Sequence, residues 1–299
     1  MIKMKLVFLF FLMAWLGASA QEFGYTDQQF KSYWYVGKAE IASYELQQAR
    51  YGEMHDGHAV LIFVTEDFSK SKQVKLDNPS AAGDDKVNVM KLNFMKKFLT
   101  GIYPYSMMTS VFTPVIENSL FPLKITNSSQ EWCGQTFAQM NYRNEGYLVK
   151  DFSYFEKEGD RIYRLGEVIP EDDIWNLIRI DPELLPVGKL EMIPGIMTSR
   201  LKHYLLEALE VEAALEVRDQ TAEYVLFYPE TERKLTIRFE KEFPYRILGW
   251  EEAYKATWGG EEKFYTTTAK LIEYIHTAYW TQNKNKHEVI RDELGLPEF

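Results

Sequence analysis

The chain has 299 residues, 15% of them aromatic, and 44 Asp and Glu against 34 Lys and Arg, a formal charge of −10. Without residues 1–20 two lysines and no acid are lost and the charge becomes −12, which disfavours nucleic acid, lipopolysaccharide phosphates and anionic headgroups, since these call for clustered cations. A single cysteine, Cys133, excludes an intrachain disulfide, so stability has to come from core burial, which a chain of this length can supply.

Taken in order, the chain opens with Lys3 and Lys5, an apolar run from Leu6 to Gly17, and Ala18-Ser19-Ala20. Charged, apolar and small-residue regions in that order predict a signal peptide over residues 1–20, cut before Gln21. About a dozen apolar residues fall short of the roughly 20 of a membrane span, and no later uncharged segment approaches that length. A lipoprotein would carry cysteine where this chain has Gln21. The expectation is a periplasmic or extracellular protein without a transmembrane segment after cleavage, in which residues 21–299 form a single β-rich domain.

Thr26 and Gln29 have capping-box spacing and Phe30, Tyr33 and Trp34 recur at helical intervals, predicting a helix over Asp27 to Tyr35. Strand patterns follow at Ala39 to Arg50 and Ala59 to Thr65, with Asp56-Gly57 as the expected hairpin turn between them. Residues 77–85 combine Pro, Gly and several acid or amide side chains and read as a loop. Val87 to Phe98, Ile102 to Val115, Leu123 to Asn127, Glu131 to Tyr142, Tyr147 to Glu156 and Arg161 to Leu165 form a meander of strands with short turns. Glu171 to Ile180 breaks it. Acids at its start and Ile174, Leu177 and Ile178 at helical spacing predict a helix that stops before Pro182, and a subdivision of the chain, if it has one, falls within 166–195.

Leu205 to Glu216 fits both a strand and a helix. Tyr224 to Tyr228, Leu235 to Phe239, Tyr245 to Lys255 and Lys263 to Thr277 read as strands, and 286–294 as a last short helix. The fold class is mainly β (α+β), a large antiparallel sheet or open, partial barrel with a few short flanking helices.

The chain has no Gly-x-Ser-x-Gly elbow, no phosphate loop, no Gly-x-Gly-x-x-Gly and no Cys-x-x-Cys. His287-Glu288-Val289-Ile290-Arg291 has arginine where a zinc-protease helix needs its second histidine. What remains is sparse. Ser128 to Gln135 crowds polar groups around Cys133, and Cys133 with Glu131 is a candidate nucleophilic site provided the fold brings a histidine to it; the plainer reading is a strand cysteine filling the core. His55, Asp56 and His58, beside Glu53, offer ligand types for a metal in the expected turn, although turn histidines are usually just solvated. Trp250-Glu251-Glu252 with Tyr254 and Trp258 mixes aromatics and acids as sugar clefts do, but neighbours along a strand face opposite ways, so the two glutamates cannot share a cleft and the aromatics read as core. No cofactor is implied.

Tyr103 to Thr109, Ser128 to Gly134, and Phe243-Pro244-Tyr245 through Trp250-Glu251-Glu252 resemble a family of secreted bacterial envelope proteins, some of which bear the name septum formation inhibitor. The resemblance implies an exported protein and assigns no activity or catalytic residue. The nucleotide pyrophosphatases that properly carry that name are cytoplasmic and grip triphosphate with Ser-x-x-Arg-Arg, whereas this chain has no Arg-Arg pair. Together these features predict a non-catalytic exported protein that binds an apolar small ligand or another envelope protein. The rival is a hydrolase or transferase built on Cys133 or on the His55/His58 segment.

Overall fold

The computed structural model describes residues 23–115, 121–258 and 261–297; the expected signal peptide lies outside them. α1 (Asp27–Trp34) comes first, and both halves of its Thr26/Gln29 capping box form. The first meander follows: β1 (Ala39–Arg50), β2 (Glu53–Ser69), β3 (Lys86–Thr100), β4 (Tyr103–Pro114), β5 (Lys124–Glu131), β6 (Gly134–Tyr142), β7 (Tyr147–Ser153) and β8 (Arg161–Leu165). Next stand β9 (Ile169–Pro170), α2 (Glu171–Ile180), β10 (Gly188–Ile193) and α3 (Ile196–Lys202). The second meander is β11 (Leu209–Val217), β12 (Thr221–Tyr228), β13 (Arg233–Glu240), β14 (Ile247–Trp258) and β15 (Glu261–Thr277), and α4 (Val289–Glu293) lies in the C-terminal tail.

All fifteen strands join one sheet in the order β8-β7-β6-β5-β4-β3-β2-β1-β15-β14-β13-β12-β11-β10-β9. Neighbours are antiparallel except β9 and β10. The two ends of the strand series therefore meet in the middle, at β1 against β15, and consecutive strands β8 and β9 are the two outer edges. Only Gly166, Glu167 and Val168 connect those edges. Four residue steps reach at most about 14 Å, so the sheet has to curl until its edges nearly touch. They are not hydrogen-bonded to each other, and the sheet stays open. This is the expected large antiparallel sheet.

α2 enters the inside of that curl directly from β9, and every one of its residues is buried. Strand alternation explains the core it meets. Ala42, Tyr44 and Leu46 of β1, Leu61 and Phe63 of β2, and Leu235, Ile237 and Phe239 of β13 all join the main apolar cluster with Ile174, Leu177 and Ile178 of α2. Trp250 packs edge-on against Trp175 and Phe94, and Tyr254 is also buried. Trp250 and Tyr254 are core, as their pattern suggests, the Trp258 side chain lies outside the described ones, and Glu252 is buried while Glu251 is exposed.

A helix so enclosed must satisfy its charges internally. Arg179, in its last turn, donates to Glu40 Oε1 and Oε2 at 2.5 and 2.8 Å and to the Pro244 carbonyl at 2.9 Å, with the guanidinium against the rings of Trp34 and Phe63. Burial alone would raise the Glu40 carboxyl, but the Arg179 charge, hydrogen bonds from Arg179 and Tyr33, and the Arg246 charge hold it below its ordinary value. In the first turn, Glu171 accepts from Arg233 Nη1 and Nη2 at 2.5 and 2.7 Å and from the Tyr228 hydroxyl at 2.7 Å. Arg233 Nε donates to Glu252 at 2.6 Å, and the Thr198 hydroxyl donates to the same oxygen at 2.7 Å. Asp172 accepts the Ile196 amide at 2.9 Å, which ties α2 to the start of α3, and Asp173 accepts from Thr113.

Three expectations change. The turn between β1 and β2 is Tyr51-Gly52, both at positive φ as a two-residue hairpin turn demands, while Asp56-Gly57 lies within β2. Gly57 is there because a Cβ would collide with the Lys97 carbonyl and the Phe98 side chain of the next strand. The expected strand from Glu131 to Tyr142 is interrupted, since Trp132 and Cys133 form the connection between β5 and β6. Leu209–Val217 resolves its ambiguity as strand, because Val211 and Ala213 are buried while Glu210 and Glu212 stay outside.

The acids of α2 make stability depend on pH. Burial raises Asp172 to about 7 and Asp173 to about 8, whereas unfolded aspartates titrate near pH ~4. Between those limits the folded chain keeps protons that the unfolded chain has released, so stability falls as pH rises. Glu252, held at about 2 against its burial by Arg233 and Lys96, acts oppositely, and its contribution fades as pH drops below about 4. Asp173→Asn removes the Asp173 carboxyl's contribution, so the stability of the wild type relative to the variant, read from the urea midpoints, is expected to fall from pH 5 to pH 9. A difference between the two proteins that does not change over the range contradicts the raised Asp173 carboxyl.

Candidate functional site

The inside of the curl is filled at α2 but not at α3. Between α3 and the concave face of β5, β6 and β7 lies a cleft of about 550 Å³, within the usual span of about 300 to 1,000 Å³ for small-molecule sites. Register sets its back wall: Asn127 pairs with Ala138 and Ala138 with Asp151, three residues in a row that all face inward. Asn127 is fixed by donating to the Thr109 hydroxyl at 2.9 Å. Ile196 and Leu206 supply apolar surface opposite, and Phe155 closes one side.

The polar end is a chain of charges. Arg200, on α3, lies 3.5 Å from Glu131 and 4.0 Å from Glu158, and Glu158 also meets the His203 ring. Phe155 packs between these groups, 4.5 Å from the Arg200 guanidinium and edge-on to His203. His203 ends α3 in the left-handed region, φ 59°, which turns its imidazole out of the helix and toward Glu158. Burial would raise the Glu158 carboxyl, but hydrogen bonds from Ser153 and His203 and the Arg200 charge bring it below its usual range. Asp151 goes the other way, raised by burial and by the nearby Glu158 charge.

Two atoms in this wall have no hydrogen-bond partner within the protein, Ser199 Oγ and Arg200 Nε. Both residues line the cleft and are more than nine-tenths buried. An unsatisfied buried polar atom costs about 1 to 3 kcal/mol; Ser199 Oγ and Arg200 Nε share this state with interior atoms such as Trp34 Nε1 and Asp173 Oδ2, and neither atom is itself open to the cleft. Arg200 and Ser199 escape sequence reasoning because Ile196–Lys202 carries no amphipathic pattern: Thr198, Ser199 and Arg200 are buried alongside Ile196, Met197 and Leu201. Asp151 and Glu158 are equally silent in sequence, standing among other acids of polar stretches.

The residues singled out from sequence fare unequally. Glu131 reaches the site: its side chain is 2% exposed and faces Arg200. Cys133 lies beside it in the turn but is exposed, not a core thiol. The Cys133 amide donates to Glu131 Oε2 at 2.6 Å, and a hydrogen bond to Glu131 and its charge push the thiol up, the reverse of what a nucleophile needs. His55 and His58 do not line this cleft and, three residues apart on β2, face opposite sides of the sheet, so the expected ligand set with Asp56 does not converge on one ion. His55 Nε2 is 3.0 Å from the Arg50 carbonyl, Asp56 accepts from Gln47, and His58 faces outward beside Val60. Among the described residues no group of three or more His, Cys, Asp or Glu could hold a metal ion, and no helix is long and apolar enough to cross a membrane.

The electrostatics give Cys133 a measurable signature. Iodoacetamide at pH 7.5 is expected to label it more slowly than a cysteine in an unfolded peptide in spite of its exposure, and Glu131→Gln to accelerate the reaction. Labelling faster than the peptide contradicts the assignment. No protein-family model matches this chain, and no curated protein is found as a relative.

Proposed function

We propose that the chain is a non-catalytic binding protein of an extracytoplasmic compartment, and that the cleft between α3 and β5 to β7 holds its ligand. The leader pattern of residues 1–20 supports the compartment. The ligand is a small molecule with an apolar body and one hydrogen-bonding end. Ala138, Ile196, Leu205 and Leu206 offer the body an apolar wall. Arg200, Glu158 and His203 stand at the other end.

The observation that carries this reading is the 550 Å³ cleft itself, with an apolar wall that includes Ala138, Ile196 and Leu206 and a polar end where Arg200, Glu158 and His203 meet. The charged residues around the cleft are mixed in sign, with Asp151, Glu156 and Glu158 set against Lys157, Arg161 and Arg200. Such a site selects by shape and hydrogen bonding, not by attracting a highly charged partner. The enzymatic alternative lacks comparable support, because the thiol that would attack is held protonated by the acid next to it.

Native mass spectrometry of the protein purified gently from its own envelope tests this. The expected result is a retained non-covalent mass that disappears in Ala138→Trp, whose indole fills the cleft from the back wall. Identical spectra for the two proteins, both free of added mass or both carrying it, would refute the assignment of the cleft.

A further inference from the structure

α3 has two sides, and Ser199 and Arg200 line the cleft from one of them. On the other, Met197 and Thr198 close a much smaller chamber against β3, β13, β14 and the start of α2. Its volume is about 20 Å³, too little for an organic ligand but more than the roughly 10 to 15 Å³ that one water molecule needs. Lys96 enters it from β3, at a position where the alternation of Leu92, Phe94 and Phe98 otherwise calls for an apolar residue. Its Nζ lies 5.4 Å from the ring centre of Phe94 and 5.9 Å from that of Trp250.

Three polar atoms of the lining side chains have no hydrogen bond among the described residues. Lys96 Nζ is the first. Asp172 spends Oδ2 on the Ile196 amide and leaves Oδ1, and Glu252 takes both Arg233 Nε and the Thr198 hydroxyl on Oε1 and leaves Oε2. All three residues are more than nine-tenths buried. Unlike Ser199 Oγ and Arg200 Nε, none of the three atoms is fully enclosed, and the chamber is what their residues line in common. An ammonium carries three N–H donors and each carboxylate oxygen accepts, so a molecule among them has both to receive and to give hydrogen bonds. The charges exclude an ion of either sign, since Lys96 and Arg233 stand against Glu171 and Glu252.

We propose that one water molecule is bound in this chamber as a fixed part of the structure, accepting from Lys96 Nζ and donating to Glu252 Oε2, with Asp172 Oδ1 as its third partner. Three hydrogen bonds are the usual number for a buried water. Asp172, raised by burial to about 7, accepts from the water when ionised and donates to it when protonated. Burial lowers the Lys96 pKa and the charge of Glu252 opposes that shift; the water adds to the support of the ammonium by carrying part of its solvation into the core. The inference does not rest on the ligand of the cleft, which lies across α3 and could not enter so small a space.

A crystal structure at a resolution that shows ordered water tests this, together with oxygen-17 relaxation dispersion, which counts long-lived internal waters in solution. The wild type is expected to hold a fully occupied water within about 3.2 Å of Lys96 Nζ and of at least one of the two carboxylate oxygens. Lys96→Met, which keeps the bulk of the side chain and removes its ammonium, is expected to lose that water and to lower the solution count by one. A dry wild-type chamber, with Nζ set directly on Glu252 or Asp172, overturns the proposal, and so does a water kept at full occupancy in Lys96→Met. Anomalous scattering from the chamber after a bromide soak overturns it as well, because the occupant would then be an anion. The wild-type structure decides the matter even where Lys96→Met does not fold.

Discussion

The structure depends on how a charged helix is kept inside a sheet. α2 carries three acids in its first turn and an arginine in its last, and none of them reaches solvent. Charges cost several kcal/mol each to remove from water unless they are paired in good geometry and otherwise hydrogen-bonded, and Asp172 and Asp173 answer that cost by holding their protons, raised by burial to about 7 and 8. Arg233 meets that condition at one end by bridging Glu171 and Glu252, and Glu40 meets it at the other by receiving both arms of Arg179. These pairs do more for register than for stability, since an apolar helix could be buried at lower cost. They fix the helix along its axis and in rotation, because Glu40 comes from β1, Arg233 from β13 and Glu252 from β14.

That placement has consequences at the cleft. α3 follows α2 after a short excursion through β10 and is tied back to it by the bond from the Ile196 amide to Asp172. Thr198, on the same helix, belongs to the Arg233 and Glu252 cluster. With one side of α3 bound into the buried network, the other side presents Ser199, Arg200 and His203 to the concave wall of β5 to β7. The cleft is the part of the interior that α2 does not reach, and its polar end is an extension of the same strategy, in which Arg200 sits between Glu131 and Glu158. A binding site built on buried, rigid elements loses little order when occupied.

Much of this architecture can be read from the residues, and what cannot has a physical cause. The ends of β1 and α2 are legible to the residue because Ala39 to Arg50 and Glu171 to Ile180 are bounded by strong punctuation: Gly37 and Tyr51-Gly52 in one case, Pro170 and Pro182 in the other. The alternation of Leu235, Ile237 and Phe239 marks the inner face of β13 directly. Asp56-Gly57 misleads, since glycine there serves a close approach between strands, a need that arises from a residue 41 positions away, Phe98. Cys133 misleads because Trp132-Cys133 is a hairpin connection without the usual turn residues. Nor does composition show that Glu171 to Ile180, which has the acids and the apolar face of a surface helix, is surrounded on all sides. Its polar partners are supplied by strands up to 139 residues away.

The claim that α2 is the enclosed centre of the fold is open to direct measurement by hydrogen exchange under native conditions. The account predicts that the amides of Ile174 to Ile180 exchange among the slowest in the chain, together with those of β3 and β13, and far more slowly than those of α4 in the exposed tail. Exchange of α2 at the rate of α4 would contradict it, since a helix that opens locally cannot be the element around which the sheet is curled.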